Sequence, residues 1–476
     1  MRKVLLFAYL CALFGCTMHP KYERPKVEEP TAWRVETNDS TPEINIAWWK
    51  QLGDDTLNQY IEEALKNNQN LQEAIFKVDQ YIARLGIVQS ELYPQIQANI
   101  GADRMKLSST LQSNPLRSIS AFDAYSLVVN AAYELDIWGK IRSASQQAKA
   151  QLMAQIQNRR TVVLTIVSAV TSQYIDLLML DKKLFIALET LATREESYYL
   201  AKVRFELGLT SLIQVEQARS EMESAEVAIV DLEREIGLKE DLLSILLGKP
   251  PADIKRGKYL DQLKMIERVS TAMPSELLNQ RPDILAAEEE LIAANANIGV
   301  AKAKFFPQIS LTGALGTESS QFNNLFTNNA NVWQYGASLL QEVFTGGKLT
   351  SGLKLSHAQK STLLHTYEQT ILNAFKEVND ALINHQKYLE EVIIQEERVL
   401  TFREYLHLAT LRYNDGQTDY LTFLDAERRF FNAQLDLAAA QGDSFTSLVA
   451  IYKSLGGGWV LQADKIALDE GKSKEH

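Results

Sequence analysis

Neither glycine nor proline occurs between Gly139 and Gly208, or between Gly352 and Gly416. Cysteine is almost missing too: the 476 residues contain two, Cys11 and Cys16. The six histidines form no pair at three- or four-residue spacing, and neither HExxH nor CxxC occurs. The first absence excludes a turn-rich architecture over two intervals of more than sixty residues. The second excludes a fold stapled by disulfides, and the third excludes the common zinc chemistries. "FTGGKLTSG" is no phosphate loop, because Glu342 stands where the first glycine is needed and Leu349 follows Lys348 in place of Ser or Thr. The chain therefore reads as no enzyme, with no catalytic residue, no metal and no cofactor. Basic side chains are outnumbered 49 to 60, for a formal charge of −11. That acidity excludes nucleic acid as a partner.

What is present begins with a leader. Arg2 and Lys3 precede the apolar run "VLLFAYLCALF", which is too short to span a bilayer as a helix, and "LFGC" ends it at Cys16. Residues 1–15 read as an export signal that takes Cys11 with it. A cysteine at this place resembles a bacterial lipobox, which makes Cys16 the lipidation site and 16–53 a lipidated, extended N-terminal segment. Without Arg2 and Lys3, 47 basic side chains face 60 acidic ones, a charge of −13.

The breaker-free intervals are rich in Ala, Leu, Gln, Glu and Lys, all strong helix formers. Fully helical, about 65 residues would extend on the order of 100 Å at roughly 1.5 Å each, so such helices bury themselves only side by side. Each meets a glycine turn and returns as a shorter helix, over 209–247 and again over 417–455. The two passages are copies. A shift of 208 lays "VRFELGLTSLIQVEQARSE" on "LRYNDGQTDYLTFLDAERR", matching Gly208 with Gly416 and Ala218 with Ala426. Nearer the N-terminus the shift is 213, where "YPQI" meets "FPQI", so a loop of variable length lies inside each copy. Repeat 1 is read over 54–250 and repeat 2 over 276–456, followed by a charged tail over 460–476. In the second return helix Tyr420, Phe423, Leu424, Phe430, Phe431, Leu435 and Ala438 recur at helical steps as a packing stripe.

Between the helices the period changes to two. Tyr125, Leu127, Val129, Ala131, Tyr133, Leu135 and Ile137 alternate with polar residues, as do Ile96, Ala98 and Ile100. Trp333, Tyr335, Ala337 and Leu339 do the same in the second copy. Strands are expected at about 95–138 and about 308–344, of the length that crosses an outer membrane. Four strands cannot close a membrane barrel, since the smallest need about eight, so other copies of the chain must cover the edges.

"CTMHPKYERP", "WWKQLGDDTL", "AAYELDIWGKIRSA" and "RPDILAAEEELIAANANIGVAKAKFFPQISLTGALG" lie in one order across nearly the whole chain. In these blocks the sequence resembles the outer membrane factor family, the TolC and OprM type, and within it the lipoproteins of RND-type efflux systems. The resemblance implies an α+β membrane protein built from two tandem repeats: a long α-helical coiled-coil barrel continued into a transmembrane β-barrel that three subunits share. It implies a homotrimer anchored by lipid in the bacterial outer membrane, with a long periplasmic portion. The function implied is a passive duct for small molecules, working with a periplasmic adaptor and an inner-membrane pump.

Carried over residue by residue, Leu421 and Asp425 match the positions that narrow the periplasmic gate, and Gly208 and Gly416 are the tip turns. Gln217 stands where the second copy has Asp425, so the acidic ring holds one carboxylate per subunit. Arg428 is placed to pair with Asp425 instead, an alternative that stays open at this point. Gln341 and Glu342 depart from the family's proline and aliphatic residue before Phe344, where the strand bends into the helix. Two other readings compete: a duct for type I protein secretion, and a periplasmic adaptor or scaffold made only of helical hairpins. An adaptor has no reason to repeat a period-two hairpin in each copy.

Overall fold

A computed structural model describes residues 18–35, 47–106, 121–265 and 274–457. Cys16, the signal and the charged tail lie outside the described residues. Repeat 1 contains α1 (Asp55–Asn67), α2 (Gln69–Ser90), β1 (Gln95–Met105), β2 (Phe122–Leu135), α3 (Lys140–Glu206) and α4 (Leu212–Leu246). Repeat 2 answers with α5 (Pro274–Gln280), α6 (Pro282–Ala303), β3 (Gln308–Ser319), β4 (Asn331–Leu340), α7 (Lys348–Asn414) and α8 (Tyr420–Ser454). Both long helices have 67 residues and both return helices 35. All four keep the 208-residue offset at both ends.

The chain divides into two compact units, one of 1–26, 77–155 and 286–367, the other of 27–76, 156–285 and 368–476. The first holds all four strands, as one antiparallel sheet in the order β1-β2-β3-β4. Its register puts Ile96 opposite Ala131, Ala98 opposite Val129, and Val129 opposite Leu315, which in turn faces Trp333. Residues opposite one another share a face, so the apolar sets of all four strands form a single surface. Ile100, Leu315, Trp333 and Tyr335 on it are 68–83% exposed. Gln97, Asn99, Asn130, Ser310, Thr312 and Gln334 line the other face. Among the described residues β1 and β4 are free edges.

The strand expected to run through Ile137 stops at Leu135. Asp136 leaves it to cap α3, its carboxylate accepting from the backbone amides of Ile141 at 3.0 Å and Arg142 at 2.9 Å. Trp138 then donates its ring N–H to the Pro307 carbonyl at 2.8 Å and stacks on Phe306. In the second copy β4 ends at Leu340, and the Gln341 amide donates to the carbonyls of Phe305 and Glu342. An N-terminal strap lies in this unit too: Pro20 accepts from Asn295, and Arg24 pairs with Glu288 at 3.0 Å. A Cβ on Gly299 would come within 2.7 Å of His19, so the strap needs glycine there.

The core of the second unit gathers around Trp48, Leu57, Ile61, Val167, Val170 and Tyr174, all at most 1% exposed. Trp48 stacks on Tyr452 at 4.8 Å. Asp54 caps α1 and accepts from the Tyr174 hydroxyl at 2.9 Å, so its buried carboxylate is satisfied. Helix α3 has one 18-residue window apolar enough to cross a membrane, but 61% of that window is buried. Arg281 of the "RPDI" block donates to the Ser454 carbonyl at the end of α8 and pairs with Asp283 and Glu377.

Candidate functional site

The site is built at the two glycine turns of the second unit. Gly208 has φ 72° and Gly416 φ 69°, in the left-handed region that closes a helix at low cost for glycine. The bonding is the same at both: Leu209 N–H reaches the Arg204 carbonyl and Gln417 N–H the Arg412 carbonyl, each at 2.8 Å. The return helices begin at 212 and 420, three residues later than the period alone suggests, because the capping residue follows the turn. Asp419 caps α8, accepting from Thr422 N–H at 3.0 Å; the Thr422 hydroxyl donates to the same oxygen, and that bond first, with the backbone bond second, holds its carboxyl below the usual range. Ser211, its counterpart, makes no such bond. The tips differ in chemistry as well. Leu207, Leu209, Leu212 and Ile213 are exposed at the first, whereas Asp415, Gln417 and Asp419 surround the second.

Helix α8 presents two faces. Tyr420 and Leu424 are buried with Ala201, Val215 and Ala218 of α3 and α4. Leu421, 58% exposed, lies on the other face, one turn from Asp425. The structure therefore brings Leu421 and Asp425 to one surface, as the four-residue spacing predicts. Asp425 is not a bare carboxylate. Arg429 donates to it at 2.6 Å and Arg428 at 3.3 Å. Hydrogen bonding to Arg429 is the main cause that holds its carboxyl below the usual range, with Arg428 adding to it. The alternative partner Arg428 is thus engaged, but Arg429 is closer. Sequence reasoning missed Arg429, although its i,i+4 spacing from Asp425 was the available signal.

The hairpins meet through Arg204 and Tyr413. A guanidinium N–H donates to the Tyr413 hydroxyl at 3.3 Å, and the guanidinium carbon stands 5.6 Å over that ring. Tyr413 also packs with Tyr420 and Phe423, with ring centroids 5.3 and 5.7 Å away. Glu427 is the second residue that the sequence reading passed over. It occupies the buried stripe between Leu424 and Phe431 and is itself 6% exposed.

A family model described as outer membrane efflux protein matches residues 60–249 and 273–457. The toluene efflux pump outer membrane protein TtgC of Pseudomonas putida is 35% identical over 458 residues, 94% of each chain. The cation efflux system protein CusC of Escherichia coli is 31% identical over 466 residues, 96% of this chain and 99% of its own. Among solved structures, the open state of the Neisseria gonorrhoeae MtrE outer membrane channel superimposes with a TM-score of 0.82 at 30% identity. That match covers 93% of this chain and 99% of that one.

Proposed function

The chain belongs to the outer membrane efflux protein family, and from that premise we propose that the α7–α8 tip, through Leu421 and Asp425, gates its duct. The protein is the outer-membrane channel component of an efflux system and acts as a passive duct, not as an enzyme. Such channels are trimers that work with an adaptor and a pump. The observation that carries the membrane reading is the sheet, whose apolar sets share one face while β1 and β4 are unpaired. A lone copy would expose those edges to hydrocarbon, where each unpaired backbone group costs several kcal/mol, so the barrel closes only with neighbouring copies. A hairpin-only scaffold has no use for such a surface.

The gate reading rests on placement. Leu421 is an exposed apolar residue one turn from the Asp425 pair, on a helix whose opposite face is packed. A relative solved in an open state is the counterpart that a gate requires. Leu421 supplies the apolar constriction, while Asp425 with its two arginines sets the charge beside it. Planar-bilayer recording tests this: Leu421→Ala raises the conductance of the isolated trimer, and an unchanged conductance removes Leu421 from the gate.

Cys16 is the acylated first residue of the mature chain, a reading supported by the "LFGC" pattern after an apolar leader. Intact-mass spectrometry of the exported protein checks it, and an unmodified cysteine refutes it. The proposed partners are a periplasmic adaptor and an inner-membrane pump, to be identified by cross-linking at the tips followed by co-purification. Relatives named for toluene and for cations stand at 35% and 31% identity. This supports a generic lining, with the cargo chosen upstream of this chain.

A further inference from the structure

In the stripe that α8 buries against α3 and α4, Tyr420, Leu424 and Phe431 are joined by a carboxylic acid. Glu427 is 6% exposed, and among the described residues neither of its carboxylate oxygens has a hydrogen-bond partner. From α3, Arg194 is the cation whose field reaches it; its two terminal nitrogens are committed elsewhere, while its buried Nε–H makes no hydrogen bond among the described residues, to Glu427 or to anything else. The guanidinium donates to the Glu221 carbonyl at 2.7 Å, lies 3.2 Å from the Glu221 carboxylate and stands 5.2 Å over the Phe431 ring. From α4, Glu221 itself adds a second negative charge. On α8 the Tyr420 hydroxyl, also without a hydrogen bond, belongs to the same stripe, and Arg204 and Tyr413 adjoin Tyr420 toward the tip. Arg428 and Arg429 are turned to Asp425. Burial is the first cause that pushes the Glu427 carboxyl above the usual range; Glu221 adds to it and Arg194 opposes it.

We propose that Glu427, sealed without a partner between α8 and the α3–α4 hairpin, makes opening of the tip pH-responsive, acid favouring the closed packing and alkali weakening it. This rests on the reading of α8 as the gate helix. A carboxylic acid in a dry site is tolerated when neutral and costly when ionised. The closed tip keeps the proton at pH values where a carboxyl wetted by opening has already lost it. The closed state thus binds more protons, so its advantage is full below the ordinary carboxylate range. That advantage declines as pH rises toward the raised value. Asp425 does not enter this balance: Arg429 and Arg428 of its own helix hold its carboxyl below the usual range, and such intrahelical pairs are present whether the tip is open or closed.

The test records open probability of trimers in planar bilayers from about pH 5 to about pH 9. The wild type is expected to open more as pH rises, by at most about tenfold per pH unit for each coupled subunit. Glu427→Gln keeps the size of the side chain and removes the titration, so its open probability is low and independent of pH. Glu427→Met gives the same flat profile if the buried amide is not tolerated. Leu421→Ala, read at one pH, tests the gate separately. A pH slope lost in both Glu427 variants alongside an inert Leu421→Ala keeps the latch and removes only the gate residue. A flat wild-type profile, or variants that retain the wild-type slope, overturns the proposal.

Discussion

Tyr413→Phe removes one hydroxyl and nothing else from the contact between the two hairpins. The ring remains against Tyr420 and Phe423 and beneath Arg204, and only the 3.3 Å bond from Arg204 is lost. A bond of that length belongs in the lower part of the usual net range, about 0.5–1 kcal/mol. The guanidinium over the ring, 5.6 Å from its centroid, adds about 0.5–1 kcal/mol at a partly exposed site. Arg204 stands on α3 and Tyr413 on α7, so the contact breaks only when the hairpins separate. Tyr413→Phe should therefore raise the open-to-closed ratio about twofold to fivefold, and Arg204→Ala about fivefold to thirtyfold. The assay is single-channel recording of both single mutants and the double mutant. If the contact is as described, the double mutant opens no more readily than Arg204→Ala alone. Effects that instead add within about 0.3–0.5 kcal/mol would show the two residues to be independent and refute the reasoning.

Asp425→Ala breaks two solvent-exposed pairs of little worth to stability and leaves Arg428 and Arg429 unopposed. The reversal potential in asymmetric KCl should move toward anion preference, and no movement would mean that this cluster lies off the conduction path. Because its carboxyl is held below the usual range, wild-type ion preference should stay constant from neutral pH down through that range and change only below it. Gly416→Ala forces a left-handed backbone at a place where an added Cβ meets nothing within 4 Å, so the cost is conformational alone, about 1–2 kcal/mol. Thermal unfolding should report that loss, with Gly416→Asn less affected. Val230→Asp puts a charge on an exposed apolar position of α4 and should abolish the trimer in detergent, as read by native mass spectrometry.

Helix and strand period made the element types, the duplication and the shared surface of Leu421 and Asp425 legible, because each follows from spacing along one chain. The alternation of Tyr125, Leu127 and Val129 identified one face of one strand. The register then showed that all four such faces coincide. Spacing carried less where neighbouring elements decide. Asp136 reads as the polar half of an alternating strand, yet the amides of α3 draw it out as a cap. Tyr420 and Leu421 are adjacent and both apolar, but one is 5% exposed and the other 58%. Only the presence of α3 and α4 separates them. Glu427 left a trace, a charge at a helical step from Leu424 and Phe431, but its lack of any hydrogen-bond partner is a tertiary fact.

The duplication explains why one chain is incomplete. In the second copy, Tyr420, Leu435 and Ala438 of α8 turn toward α3 and α4, where Ile186, Ala187 and Ile229 receive the lower part of the stripe. The same 208-residue offset leads from these positions to Leu212, Val227 and Val230 of α4. Those three are apolar too, but 54%, 62% and 64% exposed. At these three positions the first copy leaves exposed what the second copy buries, although Leu424 and Phe431 map to Glu216 and Glu223, so the face it offers is shorter and more polar. In a trimer, the α7–α8 hairpin of a neighbouring copy is the expected cover for these positions, and the Val230→Asp measurement tests that expectation. A ring of chains is the closed arrangement that can cover such positions, and the sheet imposes the same demand through its β1 and β4 edges, unpaired among the described residues. The two units reach one conclusion by different physics: apolar area left uncovered in the helices, and backbone groups left unpaired in the strands.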